Sequence, residues 1–110
     1  MTAEALLVWC PFPDLATARH AAAMLIPQGL AACVHLFPAG ESHYLWQGKL
    51  TQGHEIMTLW KTTPARWNAL STELAALHPY EVPAIFATPV SALPPACLSW
   101  LQASCSSLSE

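Results

Sequence analysis

The chain has 110 residues, enough for one domain around a single core. Apolar residues make up 54% of it and charged residues only 10%, against about 25% charged in an average globular domain. Net charge is −3 and the basic residues are Arg19, Lys49, Lys61 and Arg66, too scattered for a nucleic-acid footprint. So few charges cannot clothe a lone domain, and the shortage points to surface covered by other chains, as in obligate oligomers.

No stretch approaches the ~20 uninterrupted apolar residues of a spanning helix. No basic segment precedes an apolar run at the start, so neither a membrane span nor a signal peptide is expected. Cys10, Cys33, Cys97 and Cys105 form no CxxC pair. They read as free thiols of a reducing cytosol, which sets a cytoplasmic expectation.

Leu6-Leu7-Val8-Trp9-Cys10 is an apolar run expected as a buried first strand, stopped by Pro11-Phe12-Pro13. Asp14 is the expected N-cap of a helix whose apolar face carries Leu15, Ala18, Ala22, Leu25 and Ile26, ended by Pro27 and Gly29. A second strand begins near Leu30, is bent or interrupted at Pro38-Ala39-Gly40, and resumes from Ser42 to Trp46. Gln47-Gly48 reads as a type I′ turn. The return strand runs from Lys49 to about Thr62, with Gly53 as the expected bulge. A strand of ~14 residues would span roughly 46 Å, whereas a compact domain of this length is about 34 Å across. The hairpin should therefore project beyond its own domain, and its edges need cover from a neighbouring subunit.

Thr63-Pro64 starts a second helix, with Trp67, Leu70, Leu74 and Leu77 on its buried face and Pro79 at its end. Ala84 to Thr88 is a fourth strand. A short last helix from Pro94-Pro95 is expected to bury Cys97, Trp100 and Leu101. The order β-α-β-β-α-β plus a terminal helix is an α+β, ferredoxin-like sandwich, one domain over 1–110 with a frayed tail from Ser104 to Glu110.

Several ordered motifs carry a resemblance. They are Leu30-Ala31-Ala32-Cys33-Val34-His35, Trp46-Gln47-Gly48-Lys49, Glu55 with Lys61-Thr62, and His78-Pro79-Tyr80-Glu81-Val82-Pro83. Cys10 with Pro13-Asp14 and Leu98-Ser99-Trp100-Leu101 flank them. In order and spacing the set resembles the divalent-cation tolerance (CutA) family, from about Ala5 to Leu101. The family usually has Asn where this chain has His35, and some bacterial members carry two histidines where this one has Leu77 and His78. The resemblance implies a homotrimer joined through its sheets and hairpins, and a role in tolerance to copper and other divalent cations. It also resembles PII-like signalling trimers, which bind small ligands in clefts between subunits.

Cys10 and His78 match the positions linked to copper in the family, and a thiolate with an imidazole suits copper or another soft or borderline divalent metal. The alternative is a packed thiol and a histidine at a helix C-terminus. Cys33 and His35, two apart, share one side of a strand; they could form half a metal site, but are expected to pack as a thiol beside a histidine near a subunit contact. Trp46, Glu55, Lys61, Tyr80 and Glu81 are expected either to line a small-ligand pocket or to form an intersubunit contact. No Ser/His/Asp order, phosphate-cradling loop or HExxH is present, so an enzyme is not expected; a Cys10–His78 nucleophile and base is the weakest reading. His43 and His54 are expected to be solvated.

Overall fold

Along Leu6–Phe12 alternate side chains are fully buried, namely Val8, Cys10 and Phe12. This is the pattern of a strand with one face on the core. The computed structural model describes residues 3–106, arranged as β1 (Leu6–Phe12), α1 (Leu15–Leu25), β2 (Cys33–Trp46), β3 (Lys49–Thr62), α2 (Trp67–Leu77), β4 (Phe86–Pro89) and α3 (Pro95–Ser104). The four strands form one antiparallel sheet in the order β2-β3-β1-β4. That is the ferredoxin-like arrangement expected from the element order.

Asp14 caps α1 as expected, accepting the backbone N–H of Thr17 at 2.8 Å, a contact worth about 1 kcal/mol. Ala18, Ala21 and Leu25 turn inward from α1, and Leu70 and Leu74 from α2. They close on Val8, Cys10, Phe12, Ile56 and Trp60 to make the main core. Thr63 precedes a single 3-10 turn, Pro64–Arg66, before α2, and its side chain makes no capping bond. Polar atoms in the core are paired: Thr58 Oγ1 donates to the Cys10 carbonyl, and Trp60 Nε1 donates to Thr58 Oγ1 at 2.8 Å.

The register places Val8, Cys10 and Phe12 beside Trp60, Thr58 and Ile56 on the helix-covered face. Leu7, Trp9 and Pro11 lie beside Lys61, Leu59 and Met57 on the other. Cys33, His35 and Phe37 of β2 share this second face, as does Phe86 of β4. Phe37 is 46% exposed and Phe86 67%. This largely apolar sheet face is open on one side in the single copy.

β2 and β3 run 14 residues each, turning at Gln47 (φ 50°) and Gly48 (φ 79°). Two consecutive positive φ values are those of a type I′ turn. The molecule measures 46 × 29 × 22 Å, as the projecting hairpin requires.

Three expectations are corrected. Gly53 is not the bulge: it pairs in register with Ser42, and the irregularity lies in β2 between Phe37 and Gly40, where Ala39 has φ 66°. Gly40 closes the bulge, because a Cβ there would stand 2.7 Å from the Glu55 carbonyl oxygen. Cys97 and Trp100 are exposed rather than buried; α3 docks instead through Leu101 and Cys105, four apart, onto Ala5. The expected frayed tail starts too early: Ser104 closes α3 and Cys105 is buried, where Arg66 Nε donates to its carbonyl at 2.7 Å. Residues 107–110 of that tail lie outside the described residues.

Candidate functional site

Beyond the bulge, the even-numbered residues Ser42 and Tyr44 lie opposite Gly53 and Thr51, and Trp46 opposite Lys49. Before it, the odd-numbered Phe37 lies opposite Met57. One extra residue thus reverses which parity of β2 meets the open face, since in a strand a slip of one residue flips every side chain. The bulge delivers Tyr44 and Trp46 to the same side as Glu55 and Pro11. There they meet the chain leaving α2, and a cleft of about 610 Å³ forms, lined by Pro11, Ser42, Tyr44, Trp46, Glu55, Tyr80, Glu81, Val82 and Ala84.

His78 and Tyr80 position the floor of this cleft. The ring of His78, at the C-cap of α2, is buried and packs in tilted contacts, with ring centroids 4.4 Å from that of Phe12 and 4.7 Å from that of Tyr80. Its Nε2 lies 2.6 Å from the carbonyl oxygen of Pro11, and its Nδ1 accepts the backbone N–H of Tyr80 at 3.1 Å. These partners require the Nε2–H tautomer. Tyr80 then donates its hydroxyl to Glu55 Oε2 at 2.9 Å. Partial burial, together with that bond and the Glu55 charge, pushes the Tyr80 phenol up to about 12, so it remains a donor.

Of the five residues expected in a pocket or contact, Trp46, Glu55, Tyr80 and Glu81 converge on the cleft. Lys61 does not. It shares the face of Glu55 but lies six residues along β3, ~20 Å away, opposite Leu7 and Cys33. Tyr44, Ser42 and Pro11 were not anticipated. The interrupted Pro38-Ala39-Gly40 run was the signal, because a bulge there changes the face of everything after it.

Cys10 and His78 sit at the same end of β1, but their side chains do not offer metal ligands. Cys10 is completely buried. Burial, and then the Glu55 charge, pushes its thiol up to about 12, whereas a metal takes the thiolate. Neither ring nitrogen of His78 has a free lone pair while its two hydrogen bonds stand. Among the described residues, no three His, Cys, Asp or Glu side chains converge as a metal-binding group. The pair therefore does not fit a resident metal in this arrangement. Cys10 is equally unsuited to act as a nucleophile. His43 is exposed and bonds Glu41 at 2.9 Å, and Cys33 and His35 share the open face as expected.

The fold and cleft define a class: a four-stranded ferredoxin-like domain with an overlong bulged hairpin, an apolar open sheet face and an aromatic, carboxylate-bearing cleft. The family profile described as CutA1 divalent ion tolerance protein matches residues 6–104. Relatives from Citrobacter koseri and Salmonella newport, both named divalent-cation tolerance protein CutA, are 43% identical over 101 residues, covering 92% of this chain and 88% of each relative. The crystal structure of CutA from Xylella fastidiosa superposes with a TM-score of 0.92 at 38% identity, covering 94% of this chain and 100% of that one. A CutA from Archaeoglobus fulgidus, described as periplasmic, superposes with a TM-score of 0.89 at 28% identity, covering 93% and 99%. The chain belongs to the CutA1 divalent ion tolerance family. No helix among the described residues is long and apolar enough to cross a membrane.

Proposed function

We propose that the chain works as a homotrimer in the cytoplasm, supporting tolerance of copper and other divalent cations as a non-enzymatic protein. One observation carries this reading: the open sheet face bearing Leu7, Trp9, Met57, Leu59, Phe37 and Phe86 is apolar, and in one copy it is left partly bare. Burying a fully exposed side chain of this kind is worth about 1.5–3 kcal/mol; Phe37 and Phe86 offer the most and the half-buried residues less, so covering this face favours association against its entropic cost. Divalent ions are held weakly in this reading, because the residues at the copper-linked positions are an undissociated thiol and an imidazole with both nitrogens engaged. The test is copper sensitivity of cells lacking the gene, complemented with wild type or with Leu59→Glu, which places a charge in the shared face. Rescue by wild type and not by the variant supports the reading. Equal rescue by a variant shown to be a single subunit contradicts it.

A second reading, a PII-like trimer that takes a small ligand or a partner protein, is favoured by the cleft. Four residues drawn from three separate motifs converge there on a concave, largely apolar wall with a few polar groups, which is the usual make-up of a ligand site.

A further inference from the structure

We infer that the outer face of the β2–β3 hairpin is a divalent-cation site, with Glu41 and His43 of β2 and His54 of β3 as its ligands and a borderline metal of the zinc and copper kind as its ion. This deepens the first reading by naming where the chain holds the cation. The bulge that turns Tyr44 and Trp46 toward the open sheet face turns Glu41 and His43 the other way. His54 lies opposite Glu41 in the register and shares the side of β3 that carries Ile56 and Thr58. The three therefore stand on the face opposite to the one that the first reading covers with neighbouring subunits. The helices do not reach them: the His43 and Glu41 side chains are 52% and 58% exposed, and His54 is exposed.

Two residues spaced two apart on one strand, with a third opposite on the next, gather three side chains over one point of a sheet. Directly opposite residues have Cβ atoms about 4.5–5.5 Å apart, and a diagonal pair such as His43 and His54 is about 7–8 Å apart, within reach of long side chains. Nε2 of His43 already lies 2.9 Å from Oε1 of Glu41. Two donors each about 2.0–2.2 Å from one zinc ion, at about 90–110° to each other, stand about 2.8–3.6 Å apart, so this pair has the spacing of donors that share a metal. As the side chains stand, His54 does not close a group of three with them. Turning its exposed ring completes the set, and exposed rotamers exchange in picoseconds to nanoseconds. Two imidazoles and a carboxylate suit zinc and copper, whereas magnesium prefers oxygen throughout. The ion displaces only an exposed Glu41–His43 bond, a kind worth little in water; at Cys10 and His78 it would displace buried partners.

The test is calorimetric titration of the full chain with Zn(II), with Mg(II) as the hard counterpart, repeated on Glu41→Gln, His43→Ala and His54→Ala. One saturable zinc site per chain is expected, weakened at least tenfold by each histidine change and several-fold by Glu41→Gln, with Mg(II) at least tenfold weaker. Cys10→Ala, at the copper-linked position, should leave zinc affinity unchanged. Cu(II) bound to Cys97→Ser protein, which lacks the exposed thiol, should show electron paramagnetic resonance coupling to two imidazoles, and to one when His54→Ala is added. Zinc affinity unaltered in the three hairpin variants, lost in folded Cys10→Ala, or matched by Mg(II) overturns the inference, as does no saturable zinc binding to folded wild type. The changed hairpin side chains are exposed, so each variant should keep the mass and dichroism of wild type, and a failure of assembly is read separately from a failure of binding. Copper sensitivity of cells decides the first reading and zinc titration decides this one, so either fails alone.

Discussion

Nε2 of His78 lies 2.6 Å from the carbonyl oxygen of Pro11, tying the end of α2 to the end of β1 across 67 positions of sequence. With Nδ1 held by the Tyr80 N–H, the imidazole is a structural clasp that sets the floor of the cleft. His78→Ala should cost about 2–4 kcal/mol, because it strands a carbonyl and an N–H and leaves a void beside Phe12. Urea unfolding reads this. If His78 were instead a metal ligand, removing it would lower metal affinity and barely change the midpoint in metal-free buffer.

Thiol labelling separates the four cysteines. At pH 8 the exposed Cys97 should react at once, while Cys10 and Cys105, both buried and both with thiols pushed up, should react only after unfolding. Cys33, half-buried on the open face of a single copy, should be protected in the trimer and become reactive in Leu59→Glu. Mass spectrometry of the labelled, digested protein reads each site.

The Cys10 thiol also sets a pH dependence. Its folded value is raised from 9.0 to about 12, so the neutral form is the one the fold accommodates. Its contribution is fully present below pH 9 and is lost as pH climbs from 9 towards 12, at up to about 1.4 kcal/mol per unit. Unfolding free energy measured between pH 8 and 11 should fall more steeply in wild type than in Cys10→Ala. Parallel slopes would show that the thiol ionises without leaving its place.

Gly40→Ala tests the bulge. The added methyl would approach the Glu55 carbonyl to 2.7 Å, and backbone has to move to admit it. A loss of about 1–3 kcal/mol is expected in urea unfolding, because Tyr44, Trp46 and Glu55 all depend on the register this bulge sets. Gly53→Ala, at a regular pair with open space around it, is the control and should change stability little.

Much of the fold could be read before the structure. The apolar run from Leu6, the Asp14 cap, the Gln47-Gly48 turn and Pro79 each have a local physical cause, and each element falls near its expected place, although β1 runs on through Pro11 to Phe12 instead of stopping after Cys10. Gly53 misled because glycine tolerates a bulge without requiring one, whereas Gly40 requires it through a contact with β3 that only pairing reveals. Cys97 and Trp100 misled because apolar character says that a residue seeks cover and not which surface gives it. Within the site, the His-Pro-Tyr-Glu and Trp-Gln-Gly motifs exposed Tyr80, Glu81 and Trp46, and the motif of Glu55 with Lys61-Thr62 exposed Glu55, but Lys61 shows the limit. Sequence order marks it as part of the motif set, while strand geometry sets it some six residues from Glu55.

The most direct measurement is the solution mass by light scattering at micromolar concentration, for wild type and for Leu59→Glu. A wild-type mass three times the 11.9 kDa of one chain, falling in the variant while far-ultraviolet dichroism keeps its helix and strand signal, is the predicted result. A stable, folded wild-type species of 11.9 kDa would contradict the account, because the open sheet face would then stand uncovered in water.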